Sequence, residues 1–318
     1  MLFFVVAIAS NCSKKFIMNI KKIFPGRVIR QFSMLVLLFG SLVLHAQAPG
    51  ATHDSATEKL HFQKKPTHVG VIMDGNGRWG KQKFGHRTAG HKHANKAVEE
   101  IIRGCLEQDV PYLTLYAFST ENWNRPPEEV KTIFNVIADS TTQQLDLFMK
   151  HNIKFNVIGD TTQIPSYCLE ALQKAIEATK NHTKLSLTVA INYGGKAETI
   201  AASQAIARDC LNKAVHTFLN QGFNSATSLD QFIQFIATYQ PKVTPKKYEK
   251  HLNSGNLPPI DLIIRTGGRK RLSNFLPWQG AYSEVYFSEL LWPNFRKKDF
   301  IEALYFYEEQ HRTFGSIS

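Results

Sequence analysis

The chain is poor in the features that mark several large protein classes. It has only four cysteines in 318 residues, Cys12, Cys105, Cys168 and Cys210. They form no C-x-x-C pair and no Cys/His cluster at zinc spacing, which excludes a disulfide framework and a structural zinc site. Scattered thiols of this kind suit a reducing compartment. No apolar run reaches the ~20 residues that span a bilayer, which excludes a polytopic membrane protein. No internal repeat or low-complexity tract is present, so solenoids and fibrous chains are excluded too. Acidic residues are missing altogether from the first 50 positions, which hold six of the 38 Lys and Arg. Half of the formal net charge of +12 therefore sits in that segment, and the rest of the chain is only mildly basic. With 43% apolar and 20% charged residues, what remains is ordinary globular usage with enough length to bury a sizeable core.

The acid-free segment has a pattern of its own. After Met18 the basic stretch NIKKIFPGRVIRQ leads into an apolar run, Met34 to Leu44, closed by Ala46-Gln47-Ala48. Basic region, short apolar region and small-x-small site together form the pattern of a secretory signal peptide. A second apolar piece, Leu2 to Ala9, precedes it. A true start at Met18 and an amphipathic surface anchor are the other readings. Residues 1–67 are expected to be a leader-like or disordered extension, and 68–318 the folded domain.

From His68 onward, short β-branched or aromatic runs alternate with longer helical-period segments. HVGVIM (68–73), YLTLYAF (112–118), KFNVIG (154–159), LSLTVAIN (185–192), DLIIR (261–265) and EVYF (284–287) read as strands. Segments near 90–108, 127–150, 165–180, 196–215 and 297–312 read as helices. Continuous apolar strands alternating with helices imply a sheet buried on both faces. The expected fold is α/β: a single domain with a central, mostly parallel sheet of about six strands flanked by helices. The stretch 216–259 reads as a helical excursion with loops. In such sheets, sites gather beyond the carboxyl ends of the strands.

The unusual residues follow the strands. MDGNGRWGKQKFGHRTAGH (73–91) packs one acid, five glycines and several bases behind the first apolar run. Gly75-x4-Gly80-Lys81 has the outline of a phosphate-binding P-loop, but Gln82 stands where a metal-binding hydroxyl belongs, so that motif fails. The chemistry survives it. Glycines let backbone N–H groups approach an anion, and Arg78, Arg87 and His91 suit phosphate oxygens. Asp74 is either a magnesium ligand shared with those phosphates or a helix cap.

DLIIRTGGRKRLSNF (261–275) is a second basic cluster, with Arg265 and Arg271 around a Gly-Gly turn and Ser273 close behind. Glu284 is an acid inside an apolar strand and requires a cation or an arginine partner. FSTENWNRPPEEV (118–130) sets Glu121, Asn122, Trp123 and Arg125 before a Pro-Pro helix start, as a ligand mouth or as helix capping.

Taken together, HVGVIMDGNGRWGK, GHRTAGH, LYAFSTENWNRP, INYGG, DLIIRTGG, RLSNFLPWQGAYSEVYF and LWPNF resemble the cis-prenyltransferase (undecaprenyl diphosphate synthase) family, from about His68 to Gly315. The resemblance implies an enzyme that condenses isopentenyl diphosphate units onto an allylic diphosphate such as farnesyl diphosphate, giving a long cis-polyprenyl diphosphate lipid carrier. It implies Mg2+ as cofactor, with Asp74 and Glu284 as metal ligands. Asp74 and Asn76 are the implied catalytic residues, Asn76 assisting proton removal. Gly75, Gly77, Arg78, Trp79, Arg87 and His91 would surround the allylic diphosphate. Ser119, Glu121, Trp123 and Arg125 would close over substrate, and Arg265, Arg271 and Ser273 would bind isopentenyl diphosphate. Phe134, Val136, Ile137, Leu145, Leu147 and Phe148 are candidates for an apolar tunnel. A homodimer, peripheral membrane contact through the lipid product and a cytoplasmic location are further expectations, the last at odds with the signal-like segment.

Arg269 and Lys270 depart from the family pattern, which often has an acid after the second glycine. No Asp-Asp pair occurs anywhere, which excludes the helical trans-prenyltransferases. A non-catalytic partner subunit would lack Asp74, Arg78 and Arg87. Nucleic-acid binding is disfavoured because the bases cluster with glycines and acids rather than along an aromatic face.

Overall fold

The computed structural model describes residues 60–220 and 229–312, all of them within one compact unit, Thr57–Ser318. The signal-like pattern at 18–48 lies outside the described residues, as does part of the 216–259 excursion.

Six strands form one sheet: β1 (His68–Ile72), β2 (Tyr112–Ser119), β3 (Ile153–Ile158), β4 (Leu185–Tyr193), β5 (Leu262–Arg265) and β6 (Glu284–Phe287). Their order is β3-β4-β2-β1-β5-β6, and every neighbouring pair is parallel. All six expected strands are present, and the sheet is wholly rather than mostly parallel. Alternate side chains of each strand enter one large core. Val69 and Val71, Leu113 and Leu115, Phe155, Leu187 and Ile264 point to that side. The opposite face carries Ile72, Tyr116, Ile158, Ala190 and Ile263 into a smaller cluster with Phe275 and Leu276. Burial on both faces is why the strands read as nearly unbroken apolar runs.

Ten α-helices are described: α1 (Asn76–Phe84), α2 (Thr88–Lys92), α3 (Asn95–Glu107), α4 (Pro127–Gln143), α5 (Leu145–Lys150), α6 (Ser166–Thr179), α7 (Gly195–Asn220), α8 (Leu229–Thr238), α9 (Pro245–Glu249) and α10 (Lys297–Glu308). Two segments expected as single helices are each a pair, α2 with α3 and α4 with α5. Between α2 and α3 the chain tightens, because His93 and Ala94 donate to the carbonyls of Gly90 and His91, three residues back. The glycine-rich stretch after β1 holds α1 instead of an open loop. Its glycines punctuate the helix: Gly75 (φ 116°) and Gly85 (φ 78°) occupy left-handed positions at its two ends. No helix among the described residues is long and apolar enough to cross a membrane.

The two central strands set the position of the site. From β1 the chain leaves toward β2, while β5, on the other side of β1, continues toward β6. Segments that diverge from adjacent parallel strands leave a crevice beyond the strand ends.

Candidate active site

Asp74 stands at that crevice, two residues past β1. Its carbonyl accepts Thr266 Oγ1 at 2.7 Å and the Trp292 backbone N–H at 3.1 Å. The carboxylate accepts Arg265 Nη2 at 2.9 Å on one oxygen and Arg78 Nη2 at 3.2 Å on the other. It is not a helix cap: Gly75 takes that place and no side chain caps α1. The first turn of α1 therefore has uncapped N–H groups and no acid beside Asp74, the arrangement that favours an anion.

A cleft of about 630 Å³ opens over this point. Its polar lining joins Asp74, Gly75, Asn76, Gly77, Arg78, Arg87 and His91 with Ser119, Glu121 and Arg125, and with Arg265, Arg271 and Ser273. The three segments read from sequence thus meet at the ends of β1, β2 and β5. Arg265 is almost fully buried and donates through Nη1 to the Arg271 carbonyl at 2.6 Å and to Ser273 Oγ at 2.7 Å. It therefore connects the second basic cluster to the acid of the first. Asn76 Oδ1 and Arg265 Nε are buried at the cleft without hydrogen-bond partners in the chain.

Three expected residues do not join the cleft. Trp79 donates to Asn294 Oδ1 at 2.8 Å and packs against Phe84 and His93. Trp123 donates to Asn192 Oδ1 at 2.8 Å, with its ring against Phe118 and Phe134. Glu284 is paired in register with Leu262 at the start of β6, whereas Arg265 is paired with Phe287 at its end. Roughly 10 Å of strand therefore separates Glu284 from the site end of its own chain. Its nearest cation is Arg312 Nε at 4.0 Å. A metal held by Asp74 is out of reach of Glu284 in the same chain.

Other residues in the site went unread in the sequence. Lys196, in the first turn of α7, lines the cleft. It follows Gly194-Gly195 after β4, so the strand-end rule could have found it. Asn274 lines the cleft as well, accepting the Lys196 backbone N–H at 2.8 Å and donating to Glu121 Oε1 at 2.9 Å. Glu129, in the first turn of α4, lies beneath the cleft and gathers Arg87, His91 and Arg125. Burial, with the charges of Arg125 and Arg87, holds His91 below the ordinary histidine range even though Glu129 favours its protonation.

A second, apolar cavity of about 100 Å³ runs between α4 and the sheet. It shares Met73, Asn76, His91, Ala117 and Ile133 with the cleft, and its walls include Leu115, Val136, Ile137, Phe148, Phe155 and Leu187. Of the expected tunnel residues, Val136, Ile137 and Phe148 line it. Phe134 faces Phe118 and Trp123 instead, and Leu145 and Leu147 pack against the main core. On α4 only the stripe through 133, 136, 137, 140 and 141 faces the cavity.

Known proteins agree with this architecture. The prenyltransferase family model for undecaprenyl diphosphate synthase matches residues 72–315. An isoprenyl transferase of Streptococcus mutans is 40% identical over 265 residues, covering 82% of this chain and 97% of that protein. One from Streptococcus pneumoniae is 41% identical over 264 residues, covering 83% and 97%. Among solved structures, lavandulyl diphosphate synthase from Lavandula x intermedia, in complex with dimethylallyl diphosphate, matches with a TM-score of 0.68 at 28% identity, over 79% of this chain and 99% of that one. A probable undecaprenyl diphosphate synthase from Campylobacter jejuni matches with a TM-score of 0.60 at 28% identity, over 80% and 100%. The chain belongs to the undecaprenyl diphosphate synthase family of prenyltransferases.

Proposed function

We propose that the protein is a magnesium-dependent cis-prenyltransferase that adds isopentenyl diphosphate units to an allylic diphosphate such as farnesyl diphosphate, making a long polyprenyl diphosphate. One observation carries the reading: two arginine-lined half-sites meet at the Asp74–Arg265 pair and open onto an apolar cavity through Asn76 and His91. Two phosphorylated substrates and a growing hydrocarbon need those three compartments side by side.

Asp74 fits a magnesium ion that arrives with a diphosphate. It is a carboxylate partly open to the cleft among arginines, and magnesium is typically held by one or two carboxylates with substrate phosphates and water. Bound there, the ion would neutralise charge on the diphosphate leaving group. Arg78, Arg87 and the uncapped turn of α1 hold the allylic diphosphate while its C–O bond breaks. Arg265, Arg271, Ser273 and Lys196 hold isopentenyl diphosphate so that its double bond attacks the allylic carbon, forming the new C–C bond. The proton lost from the isopentenyl unit passes to the departing diphosphate, and Asn76, whose buried Oδ1 has no partner in the chain, is placed to orient that transfer.

The hydrocarbon extends into the apolar cavity. A cavity of about 150 Å³ holds benzene, so about 100 Å³ accommodates roughly one isoprene unit, and a long product extends beyond it. Exposed Trp278 and Tyr282 beside Pro258, Pro259 and Pro277 support a homodimer contact. The lipid product supports work at the cytoplasmic membrane surface.

The test is incubation of the purified protein with farnesyl diphosphate, labelled isopentenyl diphosphate and magnesium. The wild type is expected to form long labelled polyprenyl products, and Asp74→Ala to lose about 100- to 1,000-fold in rate, the scale of losing a preorganised charge-stabilising group. A wild type without elongation, or an Asp74→Ala variant that elongates normally, refutes the proposal.

A further inference from the structure

Glu129 is a carboxylate held almost completely out of water, its side chain 5% exposed. Oε2 accepts Arg87 Nε at 3.1 Å. Oε1 accepts Arg125 Nη1 at 3.1 Å and Arg87 Nη2 at 3.4 Å, and it faces His91 Nε2 at 3.3 Å. Arg87 and His91 come from the edge and body of α2, and Arg125 from the turn before α4. All three line the cleft, whereas Glu129 does not.

A buried charge needs partners, and here they exceed it. Two guanidinium ions share one carboxylate, so the cluster stays positive toward the cleft. Arg87 is held by its edge on Glu129, and its guanidinium passes close to Gly77, where a Cβ would come within 2.6 Å of Cζ.

We propose that Glu129 is a positioning residue, which presents Arg87, His91 and Arg125 as one preformed unit to the allylic diphosphate. The inference rests on the reading of the cleft as a prenyl diphosphate site. It differs in sign from the simplest alternative, in which Glu129 merely balances charge. Removing a balancing charge would raise the positive potential and tighten binding of an anion. Removing a positioning residue frees the arginines and weakens it.

The experiment measures inorganic diphosphate binding by calorimetry and steady-state elongation side by side, on the full chain as wild type, Glu129→Gln and Glu129→Asp. For Glu129→Gln we expect about 10-fold weaker diphosphate binding and an equal rise in KM for farnesyl diphosphate. The KM for isopentenyl diphosphate should stay within about 2-fold, because Arg265 and Arg271 do not touch Glu129. Glu129→Asp retains the charge but withdraws it by one methylene. It is expected to fold like the wild type, by circular dichroism and thermal melting, yet to show the same split between the two KM values. Diphosphate binding that is unchanged or tighter in folded Glu129→Gln overturns the inference. If Glu129→Gln does not fold, wild-type KM values in Glu129→Asp overturn it. A wild type that binds diphosphate but never elongates, with the Glu129 variants weakened as expected, would refute the proposed reaction and leave the positioning role standing.

Discussion

The two halves of the cleft hold their arginines by different means. On the α1 side, Arg78, Arg87 and Arg125 lean on the carboxylates of Asp74 and Glu129. On the β5 side, Arg265 is fastened to the Arg271 carbonyl and the Ser273 hydroxyl. That second loop is a backbone construction, with Ser273 (φ 49°), Asn274 (φ 64°) and Leu276 (φ 42°) all in the left-handed region. A guanidinium resting on a carboxylate can exchange one anionic oxygen for another when a phosphate arrives. One fastened to main-chain and hydroxyl oxygens is placed before any substrate comes. The first half should therefore respond to changes of charge, and the second to changes of backbone.

Arg265 belongs to both halves, and among the arginines of the cleft its loss should have the largest effect. Arg265→Ala removes the partner of Asp74 and the anchor of the 271–273 turn together. We expect at least about 100-fold loss of elongation and about 3 kcal/mol of stability, the scale of breaking a buried charge pair. Arg265→Lys should recover little, because an ammonium cannot bridge three acceptors as a planar fork does. Urea unfolding read beside product formation checks both, and a lysine variant with near-normal activity would show that the two halves do not depend on this one side chain.

Asn274 tests the backbone half alone. Its amide joins Glu121 to the first turn of α7, and its φ of 64° suits Asn better than Ala. Asn274→Ala should cost about 1–2 kcal/mol of stability. It should raise KM for isopentenyl diphosphate several-fold and leave that for farnesyl diphosphate nearly unchanged, the mirror image of Glu129→Gln. Asn274→Gly should relieve the backbone part only. Equal effects on both substrates would erase the distinction between the halves.

The fold was legible because a parallel sheet buried on both faces leaves unbroken apolar runs, as in HVGVI and LIIR. The cleft was legible because its residues cluster just after those runs. The expected residues that stand outside the cleft were hard to place because what surrounds each of them comes from elsewhere in the chain. Trp79 and Trp123 sit inside informative segments, but their rings answer to Asn294 and Asn192, 215 and 69 residues distant. Glu284 reads correctly as a strand acid that needs a cation, but alternation along a strand does not say which end of the sheet it occupies. Arg312, not the site, is close to it. Glu129 reads as an ordinary first-turn acid of a helix with Arg125 four residues before it, and only the packing of α2 against α4 adds Arg87 and His91.

Acidification offers the finest probe of the carboxylate-held half. Burial works against ionisation of Glu129, but the hydrogen bond and charge of Arg87, then Arg125 and His91, outweigh it and hold the carboxyl below its usual range. A carboxyl lowered in the folded state contributes stability that is complete above its unfolded value, about 4.3, and is lost as pH falls through the folded one. His91 is also lowered, chiefly by burial. The unfolded chain therefore takes up that proton first, and stability begins to fall below about pH 6.5. His68, buried at the start of β1 and pushed down to about 4, adds a slope common to every variant. Urea midpoints followed downward from pH 7 should decline in wild type and in Asn274→Ala alike. With His91→Gln in both proteins, so that the titration linked to Glu129 is removed, Glu129→Gln should lie lower at neutral pH and run flatter below about pH 4.3. If its curve stays parallel to that of His91→Gln alone there, Glu129 is not the group whose protonation loosens the first half of the cleft.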